Sequence, residues 1–137
     1  MWEPLTANRF LVYLTDTRSK KLIVESFLIK HIDRPGFTWV DGKKQWNPIC
    51  LKIYESLAPN NVLFRCLKAS IFDVQVNELG PVGDVVETWL LPHCKFASVT
   101  PQPLDWARNG DVFELQCELD WNEIIVKDGD SEFKIQK

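Results

Sequence analysis

The clearest pattern in the chain is an alternation of apolar and polar residues near its C-terminal end. The apolar positions are Phe113, Leu115, Cys117, Leu119 and Trp121, and the polar positions between them are Glu114, Gln116, Glu118 and Asp120. Successive side chains of a strand point to opposite faces, so this period of two predicts a strand with one buried and one solvated face. The Asn109-Gly110 pair just before it predicts a turn, because both residues tolerate positive φ.

Two more strands are predicted at the start of the chain, where β-branched and aromatic residues are frequent. The first covers Arg9–Asp16, and the second covers Leu22–Ile32 with an irregularity near Glu25-Ser26. The polar segment Thr17–Lys20 between them predicts a turn, so the two strands should pair as a hairpin.

Residues 33–47 have a different character, because large aromatic residues lie between turn signals. Pro35-Gly36 and Asp41-Gly42 are turn dipeptides. The aromatic residues among them are Phe37, Trp39 and Trp46. This composition predicts a protruding loop or hairpin whose rings need a surface to cover them. Packing on the parent domain and contact with a neighbouring subunit are equally supported.

The middle of the chain predicts one strand and one helix. Pro48–Glu55 alternates as a strand does, and Ala58–Asn61 supplies helix-start residues. Apolar residues then recur at helical spacing, which predicts an amphipathic helix of about three turns. It should end near Ser70–Asp73.

The second half is predicted to be rich in strands. A Gly/Pro loop at Asn77–Asp84 precedes strands at Val85–Leu91 and Lys95–Thr100. Residues 127–137 are a polar C-terminal tail that could close with a short strand at Phe133–Ile135. The predicted fold of residues 1–137 is a single, mainly antiparallel β domain with one α-helix, arranged as a β-sandwich or half-open barrel.

Composition narrows the classes of function. A net charge of -3 and a pI near 5.4 argue against a basic surface that grips nucleic acid. No apolar stretch approaches the roughly 20 residues of a membrane span. The N-terminal residues lack the pattern of a signal peptide, so we expect synthesis and retention in a cytoplasm without membrane contact. Six Trp residues are many for this length and suggest interfaces as well as a core.

The four cysteines stand singly, with no C-x-x-C pair. They are Cys50, Cys66, Cys94 and Cys117. Zinc ligands usually come in close pairs, so this spacing disfavours a metal site. Buried, reduced thiols are the favoured interpretation, and disulfides formed between subunits are the alternative.

Candidate catalytic residues are few. The chain has two histidines, and His93 is followed by Cys94, but adjacent strand residues face opposite sides and could not form a dyad there. Phosphate-binding, dinucleotide-binding, serine-nucleophile and zinc-protease motifs are absent. The sequence therefore predicts a protein that is not an enzyme and uses no cofactor.

Two segments carry the most distinctive residue combinations of the chain. One contains Leu104-Asp105-Trp106, Asn109, Phe113-Glu114-Leu115 and Leu119-Asp120-Trp121, and the other contains Arg34-Pro35-Gly36-Phe37 and Trp46-Asn47-Pro48-Ile49. In these segments, and in its order of elements, the chain resembles the tail tube proteins of contractile-tailed bacteriophages, which are related to type VI secretion and tailocin tube proteins. The resemblance covers Arg9–Val126.

This resemblance implies a structural virion protein. Its subunits would form hexameric rings with one shared β-barrel, and stacked rings would form the inner tail tube through which genome DNA passes without specific binding. The implied partners are further copies of the chain, the tail sheath protein, and baseplate and tape measure proteins. The implied location is the virion tail, after assembly in the host cytoplasm. Alternatives are a baseplate tube initiator, a type VI or tailocin tube component, and a monomeric ligand-binding β-barrel.

The resemblance also suggests roles for two groups of residues. The polar face of the alternating strand would line the lumen, through Glu114, Gln116, Glu118 and Asp120. An acidic lumen would repel the phosphates of passing DNA. The aromatic residues of segment 33–47 would make contacts between subunits, through Phe37, Trp39 and Trp46.

Overall fold

Antiparallel strands make up most of the fold. The computed structural model describes residues 8–56, 61–107, 110 and 112–137. The strands are β1 Phe10–Asp16, β2 Leu22–Val24, β3 Ile29–Ile32, β4 Phe37–Val40, β5 Lys43–Trp46, β6 Ile49–Tyr54, β7 Phe72–Leu79, β8 Val85–Pro101, β9 Glu114–Asp120, β10 Glu123–Asp128 and β11 Ser131–Gln136. Helix α1 covers Val62–Lys68, and a short 3₁₀ helix covers Ser26–Leu28.

The strands form two layers and a separate hairpin. Sheet A contains β2, β1, β7, the first part of β8, β10 and β11, paired in that order. Sheet B contains the second part of β8, then β9, β6 and β3. Strands β4 and β5 pair with each other. The predicted mainly antiparallel β fold with one helix is confirmed for the described residues.

Strand β8 joins the two sheets. It was predicted as two strands, Val85–Leu91 and Lys95–Thr100, but it is one continuous strand, Val85–Pro101. Its direction changes at His93, whose φ of 55° lies in the left-handed region. Asp73 Oδ1 accepts a hydrogen bond from His93 N at 3.0 Å and fixes this bend. One strand can therefore pair with β7 in sheet A and then with β9 in sheet B.

The core lies between the facing sides of the two sheets. Alternate residues of β6 and β9 are buried there, as the period of two predicts. Sheet B contributes Ile49, Leu51, Ile53, Leu115, Cys117 and Leu119, and sheet A contributes Val12, Leu14, Val74, Val76, Leu91, Ile124 and Val126. Helix α1 adds Val62 and Cys66 to the same cluster.

Helix α1 is shorter than the sequence predicts. Asn61 caps its start by accepting a hydrogen bond from Leu63 N, and the helix ends at Lys68, not near Ser70–Asp73. The predicted start residues 58–60 lie outside the described part of the chain. Strand β7, Phe72–Leu79, was missed, because apolar residues at helical spacing extended the predicted helix into its first residues and the predicted loop took its last ones. The loop itself is confined to residues 80–84.

The predicted strand Leu22–Ile32 is two strands in different sheets. Strand β2 pairs with β1 in sheet A, and β3 pairs with β6 in sheet B. The 3₁₀ helix at Ser26–Leu28 separates them, at the place where the irregularity was predicted. The predicted hairpin is therefore limited to β1 and the three residues of β2.

The C-terminal residues form a hairpin. Residues 127–137, predicted as a polar tail, contain the end of β10, a turn with Gly129 at φ 60°, and strand β11. Strand β11 is longer than the predicted strand Phe133–Ile135. Of the predicted turn before β9, Gly110 has φ 85°, and Asn109 lies outside the described residues.

Candidate assembly surfaces

The hairpin of β4 and β5 stands apart from both sheets. Phe37 lies opposite Trp46, and Val40 lies opposite Lys43. The turn between them has positive φ at Asp41 (50°) and Gly42 (77°), as a tight two-residue hairpin turn requires. All of its strand residues except Trp46 are exposed. Segment 33–47 is thus a hairpin rather than an irregular loop.

The aromatic rings of this hairpin surround a lysine. The Lys44 Nζ lies 4.5 Å from the centre of the Phe37 ring, 5.9 Å from that of Trp39 and 5.5 Å from that of Trp46. A cation above a ring face is attracted by the ring quadrupole, which orders the exposed rings. Sequence reasoning missed Lys44, although its alternation with the aromatic residues in a predicted hairpin was visible.

The three aromatic residues proposed for subunit contact have different surroundings. Phe37 is 45% exposed and Trp39 is 62% exposed. Trp46 is half-buried and packs edge-on against the buried Trp121, with ring centres 5.9 Å apart. Trp46 therefore anchors the hairpin to its own core, whereas Phe37 and Trp39 leave apolar surface free.

The four polar residues of β9 share the outer face of sheet B. Their neighbours on the strand, Leu115, Cys117 and Leu119, are at most 3% exposed and point into the core. Opposite residues on paired strands place their side chains on the same face. The outer face therefore also contains the residues opposite Glu114, Gln116, Glu118 and Asp120, which are Tyr54, Lys52, Thr100, Cys50, Ser98 and Lys95.

These neighbours change the charge of the face. Lys95 lies opposite Asp120, and Lys52 lies opposite Gln116. Lys30 Nζ lies 2.6 Å from Glu114 Oε1, and this pair raises the pKa of Lys30. Strand β9 alone is acidic on this face, but the neighbouring strands of sheet B place lysines beside its carboxylates. The sequence could not show this, because the lysines come from three other strands.

The outer face of sheet A is less charged. Leu11, Tyr13, Leu90 and Ile125 are all half-buried there. Tyr13, Gln75, Leu90 and Ile125 also line a surface depression of about 330 Å³. The two outer faces of the sandwich therefore differ in their centres: sheet B presents charged pairs there, and sheet A presents half-buried apolar side chains. The charged residues Lys127, Glu132 and Lys134 of sheet A lie near its edge.

The cysteines are free thiols, and three of the four are buried. Cys66, Cys94 and Cys117 are buried, whereas Cys50 is half-buried. Burial raises the pKa of Cys94 to about 12. A hydrogen bond with Cys66, together with burial, raises the pKa of Cys117. Burial also raises the pKa of Cys50, but Cys50 is the half-buried thiol of the four, so a disulfide between subunits would have to start there.

The described residues offer little evidence of a metal site or of a membrane-spanning helix. His31 Nε2 lies 2.8 Å from Asp33 Oδ1 in an exposed pair. Within the described ranges, no group of three or more His, Cys, Asp or Glu residues could hold a metal ion. Neither helix in the described part of the chain has the length and apolar character needed to cross a membrane.

Solved structures similar to this chain include an Hcp1 protein, the cap of an anti-feeding prophage and part of an extracellular contractile injection system. Hcp1 from the E. coli EAEC 042 pathovar is 12% identical over 93% of this chain and 96% of its own, with a TM-score of 0.68. The chain has an Hcp-like fold. The anti-feeding prophage tube-terminating cap structure gives 15% identity, 94% coverage of both chains and a TM-score of 0.67.

A third similar structure belongs to the same kind of particle. It is the PVC sheath/tube terminator of an extracellular contractile injection system, with 16% identity, 93% and 99% coverage and a TM-score of 0.66. No family model matches the chain, and no curated protein matches it significantly. The resemblance to tail tube proteins and their type VI and tailocin relatives is confirmed at the level of the fold.

Proposed function

We propose that this chain is a tube subunit of a contractile injection particle, in which copies form hexameric rings that stack around a lumen. The Hcp-like fold carries this proposal, because it extends over 93–94% of the chain and nearly the full length of the similar structures. Those structures include a tube-terminating cap and a sheath/tube terminator. The proposed function is structural rather than enzymatic.

The arrangement of strands supports a shared barrel. Strands β2 and β3 lie at the two ends of the main strand order. Open strand edges invite further pairing, and a closed ring of subunits would remove them. The same closure would bring the sheets of neighbouring copies into one continuous wall.

The hairpin supports contact between subunits. Exposed Trp residues that can be fully covered are frequent centres of binding energy in interfaces. We assign this role to Phe37 and Trp39, which remain exposed beside Lys44. Trp46 has a smaller share, because its ring already packs against Trp121.

The two outer faces support an orientation in the tube. We assign the lumen to sheet B, whose outer face holds Glu114, Gln116, Glu118 and Asp120. The half-buried apolar residues of sheet A would then face protein, such as the sheath. Lysines beside the carboxylates leave the lumen wall of mixed charge, which weakens the predicted repulsion of DNA.

The kind of particle determines the cargo and the remaining partners. Similar structures are described as a sheath-tube complex and a baseplate, so sheath and baseplate proteins are proposed partners, and a baseplate tube initiator is a variant of the same role. In a phage tail the tube would enclose a tape measure protein and then pass genome DNA from the virion. In a type VI or tailocin-like particle it would pass other cargo. The similar structures favour this second version.

The rival function, a monomeric ligand-binding barrel, finds less support. A ligand pocket would be lined by enclosed aromatic residues, but Phe37 and Trp39 lie exposed on the hairpin. The cavity lined by Ile32, Arg34, Trp89 and Leu91 measures about 10 Å³, close to the space of one water molecule. The larger depression of about 330 Å³ lies on the outer face of sheet A rather than between the sheets, where a barrel would hold its ligand.

The test compares two exposed tryptophans. Trp39→Ser should leave the unfolding free energy within about 0.5 kcal/mol, because the ring is exposed, but should abolish rings. Trp106→Ser, which removes a fully exposed Trp outside the hairpin, is the matched control. Native mass spectrometry and negative-stain microscopy would measure assembly, and thermal unfolding would measure stability.

The outcomes separate the parts of the proposal. Wild-type protein that remains monomeric at high concentration would overturn the tube function. Rings that persist in Trp39→Ser would leave the tube function standing and overturn the role of the hairpin.

A further inference from the structure

One end of sheet A is basic. The turn between β1 and β2 carries Arg18, Lys20 and Lys21, all exposed. Lys68, at the end of α1, lies four residues before β7 begins at this same end. The carboxylates here are already engaged by their own chain. Asp16 accepts hydrogen bonds from Arg18 N and Ser19 N, and Asp73 accepts them from Thr17 Oγ1 and His93 N.

The opposite end of sheet A is acidic. Glu78 on β7 lies opposite Glu87 on β8, and Glu87 lies opposite Asp128 on β10. We call these three carboxylates the acid row. Asp84 and Asp130 add exposed charge in the adjoining turns. Among the described residues, this end contains the cations Arg9, Arg34 and Lys127 and six carboxylates, which are those of the acid row, Asp84, Asp130 and Glu132.

The acid row is incompletely satisfied within the chain. Glu78 is 7% exposed, and Arg34 Nε lies 3.0 Å from its Oε1. Its other oxygen, Oε2, is buried and has no hydrogen-bond partner. Burial and the neighbouring Glu78 raise the pKa of Glu87. Like charges directly opposite each other destabilise a sheet, so a further cation beside Glu87 and Asp128 would relieve repulsion in the row.

The two ends become ring faces if the proposed function holds, and the inference rests on it. Strands of a closed barrel run at about 35–45° to its axis, so their turns lie at the two rims. Sheet A packs on sheet B, which we assign to the barrel wall, and its strands are taken to run between the same two rims. Each ring would then carry a basic rim and an acidic rim. We propose that rings of this chain stack head to tail by charge, the basic turn at residues 18–21 of one copy docking against the acid row of a copy in the next ring.

A second copy is the occupant that fits both ends. A metal ion is disfavoured, because no three His, Cys, Asp or Glu side chains among the described residues are placed to hold one. Lysine and arginine side chains have the length to reach a partly buried carboxylate while their stems cover apolar surface. A contact between two different surfaces repeats without closing, which builds a filament of fixed direction.

The test uses two variants of opposite charge. Arg18→Glu with Lys21→Glu makes both rims acidic, and Asp128→Lys with Asp130→Lys makes both rims basic. Either variant alone should still form rings, but stacking at low salt should need a protein concentration more than about tenfold higher than wild type needs. An equimolar mixture should stack again in alternation. Lys134→Glu, in the middle of β11, is the control with unchanged rims.

Ring formation and stacking are measured separately, by native mass spectrometry and by sedimentation velocity with microscopy. Absence of rings in the wild type would overturn the tube function. Stacking that is unchanged in both charge-reversal variants would overturn the charge-directed stacking and leave the tube function standing. A mixture of the two variants that does not stack at low salt would do the same. We expect the mixture to stack at low salt and to lose this stacking when salt is added.

Discussion

Glu25 and Glu87 are both half-buried, but the charged groups around them differ. Glu25 lies beside α1, where Arg65 Nη1 and Nη2 donate to its two carboxylate oxygens at 3.1 and 2.9 Å. Glu87 lies in sheet A, between the carboxylates of Glu78 and Asp128. The pKa of Glu25 is lowered by the hydrogen bonds from Arg65, and the pKa of Glu87 is raised by burial and Glu78.

The difference separates folding from assembly. The region around Glu25 is complete in one chain, since Arg65 also donates to Ile23 O at 2.7 Å and so joins the helix to β2. In the acid row, like charges lie opposite each other and Glu78 Oε2 is buried without a hydrogen-bond partner, so we expect the row to cost stability in the isolated subunit. Residues that weaken the folded chain without a local benefit are expected where a protein interacts with something else. The row is therefore best understood as part of an interface.

The largest effect on stability is expected when Glu25 loses its arginine partner. Arg65→Leu removes the bonds to Glu25 and leaves the Ile23 carbonyl without this donor. The free energy of unfolding should fall by about 1–3 kcal/mol, because charge-assisted bonds to a partly buried arginine are lost. Urea denaturation measures this change. Arg65→Lys keeps the charge but not the paired geometry, so it should recover part of the lost free energy of unfolding. An Arg65→Leu variant as stable as the wild type would contradict the difference between Glu25 and Glu87.

The sequence predicts those elements whose pattern is local. Strands β1, β6 and β9 follow from alternation, and the hairpin follows from Asp41-Gly42 between aromatic residues. Strand β7 was missed because Leu67 and Ile71 continue a helical spacing up to its first residue. The backbone of Ala69 is already extended, so the helix stops before that spacing does.

The candidate surfaces depend on pairs that the sequence does not show. The outer face of β9 was predicted to be acidic, but Lys30, Lys52 and Lys95 reach it from other strands. If β7 had been predicted, a hairpin around residues 80–84 would have placed Glu78 opposite Glu87. Asp128 joins the row from a strand much later in the chain.

A smaller effect of opposite sign is expected from Glu87→Gln. A carboxyl whose pKa is raised by folding stabilises the fold below its unfolded pKa, and this contribution is lost as the pH rises through the folded pKa. The variant should therefore match the wild type near pH 4 and become more stable at neutral pH, by about 0.2–1 kcal/mol. Thermal unfolding from pH 4 to 8 measures this. A variant that is less stable at pH 7 would show that the row is satisfied within the chain.

The smallest effect is expected from Glu25→Gln, and its pH dependence should run the other way. A carboxyl whose pKa is lowered by folding contributes stability above its unfolded pKa, and loses that contribution as the pH falls through the folded pKa. Because the Glu25 side chain is 41% exposed, solvent screening limits the loss at pH 7 to about 0.5 kcal/mol. The difference from wild type should vanish in acid, where that of Glu87→Gln also vanishes. At neutral pH the two variants should lie on opposite sides of the wild type, because Glu25 is paired with Arg65 whereas Glu87 lies between two carboxylates.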